Sequence, residues 1–190
     1  MHLDESCLGN GRSGDNPGGT AGLVELRLAR GVERRDFFLH SPATTNNRMA
    51  LEGAIAALRL MSAKGRRMRL VIVSDSEYLV KGVNEWAPAW QRRGWTRKGG
   101  PIENLGLWRS LWEELPRHET RFTWVRGHAG HPKNEYVNDL AIAAATNQLS
   151  SDGVTESGFL EWLATRQAAG KFSGYDPDAA FDLLVNRSGT

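Results

Sequence analysis

A single cysteine, Cys7, in 190 residues rules out an intramolecular disulfide. No stretch approaches the roughly 20 consecutive apolar residues that a membrane-spanning helix needs. No positively charged start leads into an apolar run, so the chain reads as lacking a secretory signal. Internal repeats and low-complexity segments are missing as well. Together these absences point to a soluble protein of a reducing, cytoplasmic setting. The 40% hydrophobic and 24% charged fractions are those of a globular chain long enough to bury a core without metal or disulfide staples.

The net charge of +2 conceals a division. Beyond residue 150 lie six acidic and three basic side chains, a net −3, which leaves +5 for residues 1–150. The body is basic and the tail acidic. A surplus of positive charge favours polyanionic partners, because neutralising phosphates releases counterions.

Glycines and turn formers crowd the stretch from Asp4 to Gly22, which reads as a strand end running into a long turn. Residues Leu23 to Leu28 alternate as a half-buried antiparallel strand, and Arg34 to His40 can pair with it. Leu51, Ile55, Leu58 and Met61 share one face of a helix that Gly65 stops. Met68 to Ser74 is continuously apolar at its centre, as a buried central strand requires. Helix is expected from Ser76 to about Trp86, with an interruption at Pro88 before it continues to Arg93. Ile102 to Leu115 reads as an amphipathic helix, Arg121 to Arg126 as a strand, and Asn134 to Asn147 as a further helix. Trp108, Trp112 and Trp124 read as core on periodicity. A meander followed by alternating helices and strands implies an α/β fold, a mixed sheet with helices on both faces.

Asp4 and Asp75 each stand at the C-terminal end of a strand, where ligands of open α/β sheets gather. Two carboxylates converging there repel each other unless a proton or cation lies between them. A hard divalent ion such as Mg²⁺ suits such a pair and completes its shell with water and substrate phosphate oxygens. Turn or helix capping is the alternative for either aspartate alone.

Five segments, in order, resemble type 1 ribonuclease H. They are Asp4-Glu5-Ser6-Cys7-Leu8-Gly9-Asn10, Thr44-Thr45-Asn46-Asn47-Arg48-Met49, Ser74-Asp75-Ser76-Glu77-Tyr78, Arg92-Arg93-Gly94-Trp95 and the Gly127 to Glu135 run Gly-His-Ala-Gly-His-Pro-Lys-Asn-Glu. The resemblance covers about residues 3–146. It implies a ribonuclease H-like fold with a five-stranded mixed sheet in residues 1–148, followed by a C-terminal extension, 149–190. It also implies a metal-dependent endonuclease, using Mg²⁺ or Mn²⁺, that cuts the RNA strand of RNA/DNA hybrids and leaves 5′-phosphate and 3′-hydroxyl ends.

The family's metal cage has four acidic positions, and the sequence keeps two, Asp4 and Asp75. Ala50 occupies the second and Asn138 the fourth, where a carboxamide oxygen can still face a metal. Glu52 is two helical residues from Ala50 and points some 200° away. Glu5, beside Asp4, faces the other side of an ideal strand, so either glutamate serves as a metal ligand only where the backbone is locally altered. His128 matches the family's loop histidine, which assists proton transfer or product release, while His131 reads as structural and Asn134 and Glu135 as caps of the following helix.

Cys7, Asn10, Asn46, Asn47 and Glu77 match positions that contact the hybrid's minor groove, and Thr45 and Arg48 those placed for phosphates of the DNA strand. N-capping of the first helix is a reading of Thr44 to Asn47 that holds alongside this one. The block with Trp86, Trp90, Arg92, Arg93, Trp95, Arg97 and Lys98 resembles the family's basic handle. Of these, Trp86 and Trp90 are expected to pack, with Trp95 and the cations facing substrate. The tail supplies an amphipathic helix over Ser157 to Ala169 and further apolar residues at 181–185, expected to pack back on a monomeric body; a protein partner is the other occupant. A catalytically silent hybrid-binding module is the alternative to the enzyme.

Overall fold

The computed structural model describes residues 1–9, 16–63, 65–127 and 129–186. Strands β1 (His2–Cys7), β2 (Gly18–Leu28) and β3 (Gly31–Ser41) form an antiparallel meander. Strands β4 (Arg69–Ser74) and β5 (Glu119–Trp124) join it in parallel on the β1 side, and β6 (Thr155–Glu156) pairs antiparallel with β3. The spatial order is β5-β4-β1-β2-β3-β6. The mixed, helix-flanked sheet matches the expected class, but it has six strands and not five. The sixth comes from the extension and pairs at Arg35 and Asp36, covering part of what would otherwise be an open sheet edge.

The helices are α1 (Asn46–Ser62), α2 (Glu77–Lys81), α3 (Ala87–Arg92), α4 (Leu105–Glu114), α5 (Pro132–Asn147), α6 (Phe159–Ala168) and α7 (Pro177–Asn186). The main core joins Leu3, Phe37 and Ile72 of the sheet to Leu51 and Leu58 of α1 and Trp108 and Leu111 of α4. A second core, built from Leu23, Tyr136, Val137, Phe159 and Leu163, joins α5 and α6 to the sheet. From Gly18 to Glu25 strand β2 is therefore buried on both faces, and not half-buried as its alternation suggested, with Leu23 facing one core and Val24 the other, while Leu26 and Arg27 beyond are exposed. Alternation in sequence counts polar residues, and here the polar member Glu25 is itself buried.

Pro88 does not interrupt the helix. Residues Gly82–Trp86 form one turn of π-helix between α2 and α3, with the Ala87 N–H donating to the Gly82 carbonyl. The wider turn gives a proline, which has no N–H and whose ring crowds the preceding turn, a place within a continuing helical path.

Close approach of α5 to the sheet depends on Gly19. A Cβ there would lie 2.3 Å from the Ala141 carbonyl oxygen and 2.7 Å from the Ala145 nitrogen, both backbone atoms that cannot swing aside. Gly19→Ala must push α5 away from β2 and is expected to destabilise the protein by about 1–3 kcal/mol, as overpacking does. Urea unfolding measures this, and an unchanged midpoint would refute the tight seating of α5.

Candidate active site

The register between β1 and β4 builds the site. His2 pairs with Val73 and Leu3 with Ser74, so the next residues along these parallel strands, Asp4 and Asp75, come out side by side at the same end of the sheet. Asn134, in the first turn of α5, joins them. Its side-chain nitrogen donates to Asp4 Oδ2 and to Asp75 Oδ2, each at 3.2 Å. Asp4 is 5% exposed and Asn134 2%. Asp4 Oδ1 accepts the Glu5 N–H at 2.7 Å, and the Thr20 hydroxyl donates to the Asp4 backbone carbonyl at 3.0 Å. Beside Asp75, Gly127 leaves room that no larger residue would: a Cβ would stand 2.2 Å from Asp75 Oδ2.

This arrangement is electrostatically unfavourable for two full negative charges. Burial, then the charges of Asp75 and Glu5, push the Asp4 carboxyl up to about 8. Glu5 is also raised to about 8, chiefly by burial and further by Asp75, although a hydrogen bond with Ser76 opposes the shift. One atom is left over: Asn134 Oδ1 is buried without a hydrogen-bond partner. A carboxamide that donates both its bonds to carboxylates while its own oxygen is orphaned would satisfy all three groups better around a cation. Two carboxylates and an amide oxygen are the hard donors that Mg²⁺ or Mn²⁺ takes, with water or phosphate oxygens for the rest. Among the described residues no three Asp, Glu, His or Cys side chains gather in one such centre, so the donors are the two aspartates and the carboxamide, with Glu5 at their side.

Asn134 is the functional residue that the sequence reading missed, having placed it as a helix cap. The signal was its position four residues before Asn138, which puts both on one face of α5. Asn138 itself is half-buried within α5. Ala50 is 3% exposed and packs in the main core. Glu52 pairs with Arg48 at 3.5 Å and does not join Asp4 and Asp75. His128 and Asn10 lie outside the described residues. His131 is exposed at the start of α5 and makes no capping bond through its side chain.

Around the site, the Cys7 thiol donates to the Thr44 carbonyl at 3.4 Å, which ties β1 to the start of α1. Thr45 caps α1 by accepting the Arg48 N–H, while Asn46 and Asn47 open the helix, with Asn46 Oδ1 buried and unpartnered. Glu77 is exposed and paired with Lys81 at 2.7 Å. Arg92, Arg93, Arg97 and Lys98 are all exposed. Trp86 and Trp90 pack through Tyr78 and Trp108, and the half-buried Trp95 stacks edge-on to Trp112 with Arg109 over its ring. Trp124 corrects an expectation: it is not core but 45% exposed. It ends the edge strand β5, and its indole N–H donates to the Asp75 carbonyl at 2.9 Å.

Comparison with known proteins places the chain in a family. The family model described as RNase H matches residues 1–146. A ribonuclease H of Stutzerimonas stutzeri is 40% identical over 142 residues, covering 74% of this chain and 87% of that protein. One from Methylococcus capsulatus is 38% identical over 154 residues, covering 80% and 92%. Among solved structures, LC9-RNase H1, described as a type 1 RNase H with the type 2 active-site motif, superposes with a TM-score of 0.82 at 49% identity, covering 89% of this chain and 82% of that one.

The raised carboxyls give the metal-free protein a definite pH response. In the unfolded chain Asp4 and Glu5 lose their protons near their ordinary values of 3.8 and 4.5, whereas in the folded chain they keep them to about 8. The unfolded state then binds fewer protons, so stability is full below about pH 4 and falls as pH rises through about 8. Urea midpoints in EDTA are expected to drop between about pH 5 and about pH 8.5, with Asp4→Asn flattening the slope. A midpoint that rises over this interval in the wild type would contradict the site's electrostatics.

Proposed function

This chain belongs to the RNase H family and is a ribonuclease H, and we propose that it works as a Mg²⁺- or Mn²⁺-dependent endonuclease that hydrolyses the RNA strand of RNA/DNA hybrids to 5′-phosphate and 3′-hydroxyl ends. The observation that carries this reading is the pair of carboxylates, Asp4 and Asp75, held together by the Asn134 amide at 3.2 Å from each. When bound there, a divalent ion supplies Lewis-acid stabilisation of the phosphate's developing charge and an acidified water.

The chain's own residues do the rest. Asp4 and Asp75 are the anionic donors, and Asn134 and Asn138 offer carboxamide oxygens from one face of α5. Glu5, whose carboxyl senses Asp75, is the nearest further acid. Such an unusual donor set on a type 1 body has company, since LC9-RNase H1 is described as carrying a type 2 motif. His128 is the proton shuttle, an imidazole being able to take and return a proton near neutral pH.

Recognition of the hybrid rests, in this reading, on the polar residues at the start of α1 and the end of β1. A wide, shallow minor groove lined with 2′-hydroxyls is met by short polar groups, a role we assign to Cys7, Asn10, Asn46, Asn47 and Glu77. Asn46 Oδ1, buried without a partner, is an acceptor ready for a hydroxyl. Thr45 and Arg48 hold phosphates of the DNA strand. Arg92, Arg93, Trp95 and Lys98 form the handle that grips the duplex outside the site, where cations neutralise phosphates without reading sequence. The protein acts as a monomer in the cytoplasm in this reading; among the described residues no helix is long and apolar enough to cross a membrane.

Ala50, buried in the core, offers no carboxylate, and this favours a second reading in which the domain binds hybrids without cutting them. Cleavage of a labelled RNA/DNA hybrid over a range of Mg²⁺ and of Mn²⁺ separates the two. The enzyme is expected to cut the RNA strand alone, with a high metal requirement, and Asp75→Asn to lower the rate at least about 100-fold, beyond the usual cost of a supporting residue. Binding without cleavage in either metal establishes the silent module.

A further inference from the structure

The helix that brings Asn134 to the two aspartates is not held by its own cap. His131 at its start makes no capping hydrogen bond, and the first turn of a helix, with its unpaired N–H groups, is where fraying begins. What holds this turn comes from the far end of the chain.

Lys133, next to Asn134 and about 100° around the helix, is 3% exposed. Its ammonium donates to Glu25 Oε2 at 2.8 Å and to the backbone carbonyl of Pro177 at 3.0 Å. Glu25 Oε1 accepts from Arg34 Nε at 3.0 Å, and a second Arg34 nitrogen pairs with Asp178. Two cations and two anions close a balanced network, and two of its contributors, Pro177 and Asp178, open α7. One turn further, the buried Phe181 ring lies under Lys133 Nζ at 5.9 Å and under the Arg27 guanidinium at 5.4 Å, while Asp182 pairs with Arg27. The next turn of α5 is held likewise: Tyr136 donates to Asp36, whose carboxylate also takes the Gly158 N–H at 3.1 Å just before α6. All of these extension residues lie beyond the segment, 1–146, that the family model matches.

We propose that α7 is a clamp on the active centre: by closing the Lys133–Glu25–Arg34–Asp178 network it fixes the first turn of α5, and with it the position of Asn134 between Asp4 and Asp75. Lys133 and Asp178 are then positioning residues for cation binding, although neither faces the cation. The inference rests on the reading of the site as a metal centre. Its physical basis is that Lys133, Glu25 and Arg34 are buried, so that displacing one of them leaves another charge buried and unpaired, while Asp178 closes the network from its exposed side. Loss of Asp178 leaves the cluster with an excess positive charge one residue from the site, and loss of the Pro177 contact frees the Lys133 ammonium to seek water, drawing the α5 turn with it.

The test uses the full chain without nucleic acid. Wild type, Asp178→Ala, Lys133→Met and Leu111→Ala, a control that destabilises the opposite core, are titrated with Mn²⁺ by calorimetry, and the Asn134 side-chain amide is followed by ¹⁵N NMR in EDTA. Asp178, half exposed, can be shortened without threatening the fold. Asp178→Ala and Lys133→Met are expected to weaken Mn²⁺ binding about 10-fold, as loss of outer supports of a metal site does, and to shift or broaden the Asn134 amide signals. Asp178→Glu should restore most of both. Leu111→Ala should change neither. Wild-type affinity with unshifted Asn134 signals in the two network variants overturns the clamp, as does an equal loss in Leu111→Ala. If the wild type itself takes up no Mn²⁺, the metal reading of the site fails, and the Asn134 signals alone decide whether α7 holds the turn.

Discussion

Repulsion between two carboxylates governs this molecule. The pairing of β1 with β4 delivers Asp4 and Asp75 to one point, where burial denies Asp4 the water that would screen its charge. The fold keeps them together by supplying donating partners, the Asn134 amide and the Glu5 N–H. Much of the surrounding geometry serves that requirement. Gly127 lets the last loop lie against Asp75, Thr20 fixes the Asp4 backbone, and Trp124 holds the Asp75 carbonyl from the sheet edge. A site assembled this way keeps the Asp4 carboxyl far above its ordinary range and leaves Asn134 Oδ1 without a partner.

Helix α5 is the element through which this requirement reaches the rest of the protein. One side is pressed on β2 at Gly19, where only a hydrogen atom fits between the helix backbone and the strand. Its start is locked by a buried charge network and its second turn by Tyr136 and Asp36, both completed from the extension. The substrate side is built on a different principle. There α1 begins with a row of polar residues, and the exposed cations after Trp90 lie beside a cluster of tilted and edge-on rings, Tyr78, Trp86, Trp90 and Trp108. Packed rings hold a surface in shape without neutralising its charges, and Arg92, Arg93 and Lys98 stay exposed.

The order of helices and strands, the interior strand β4 and Asp75 at its end were legible in the sequence because each rests on local signals, periodicity and apolar runs read over a few residues, whereas Asp4 lies within β1 and not at its end. The same locality explains the misreadings. Trp124 alternates like a core residue, yet β5 is an edge strand and its last residue meets solvent. Pro88 looks like a helix stop, yet a π turn carries the chain past it. The alternation in β2 suggests one wet face, yet both faces are covered as far as Glu25, and the strand is exposed only beyond it, at Leu26 and Arg27.

What the sequence by itself determined, then, is the succession of elements, the family motifs and the presence of Asp75 at the end of β4. Only the tertiary structure decided that Asn134, and not merely a capping role, bridges them, that Ala50 is core while Glu52 turns away to Arg48, and that the acidic extension adds the sixth strand and closes over Lys133. The reason is distance along the chain. Asp4 and Asn134 are 130 residues apart, and Lys133 and Pro177 44 apart; contacts of that kind leave no periodic trace, because each depends on strand register and helix seating that emerge only when the whole sheet is assembled.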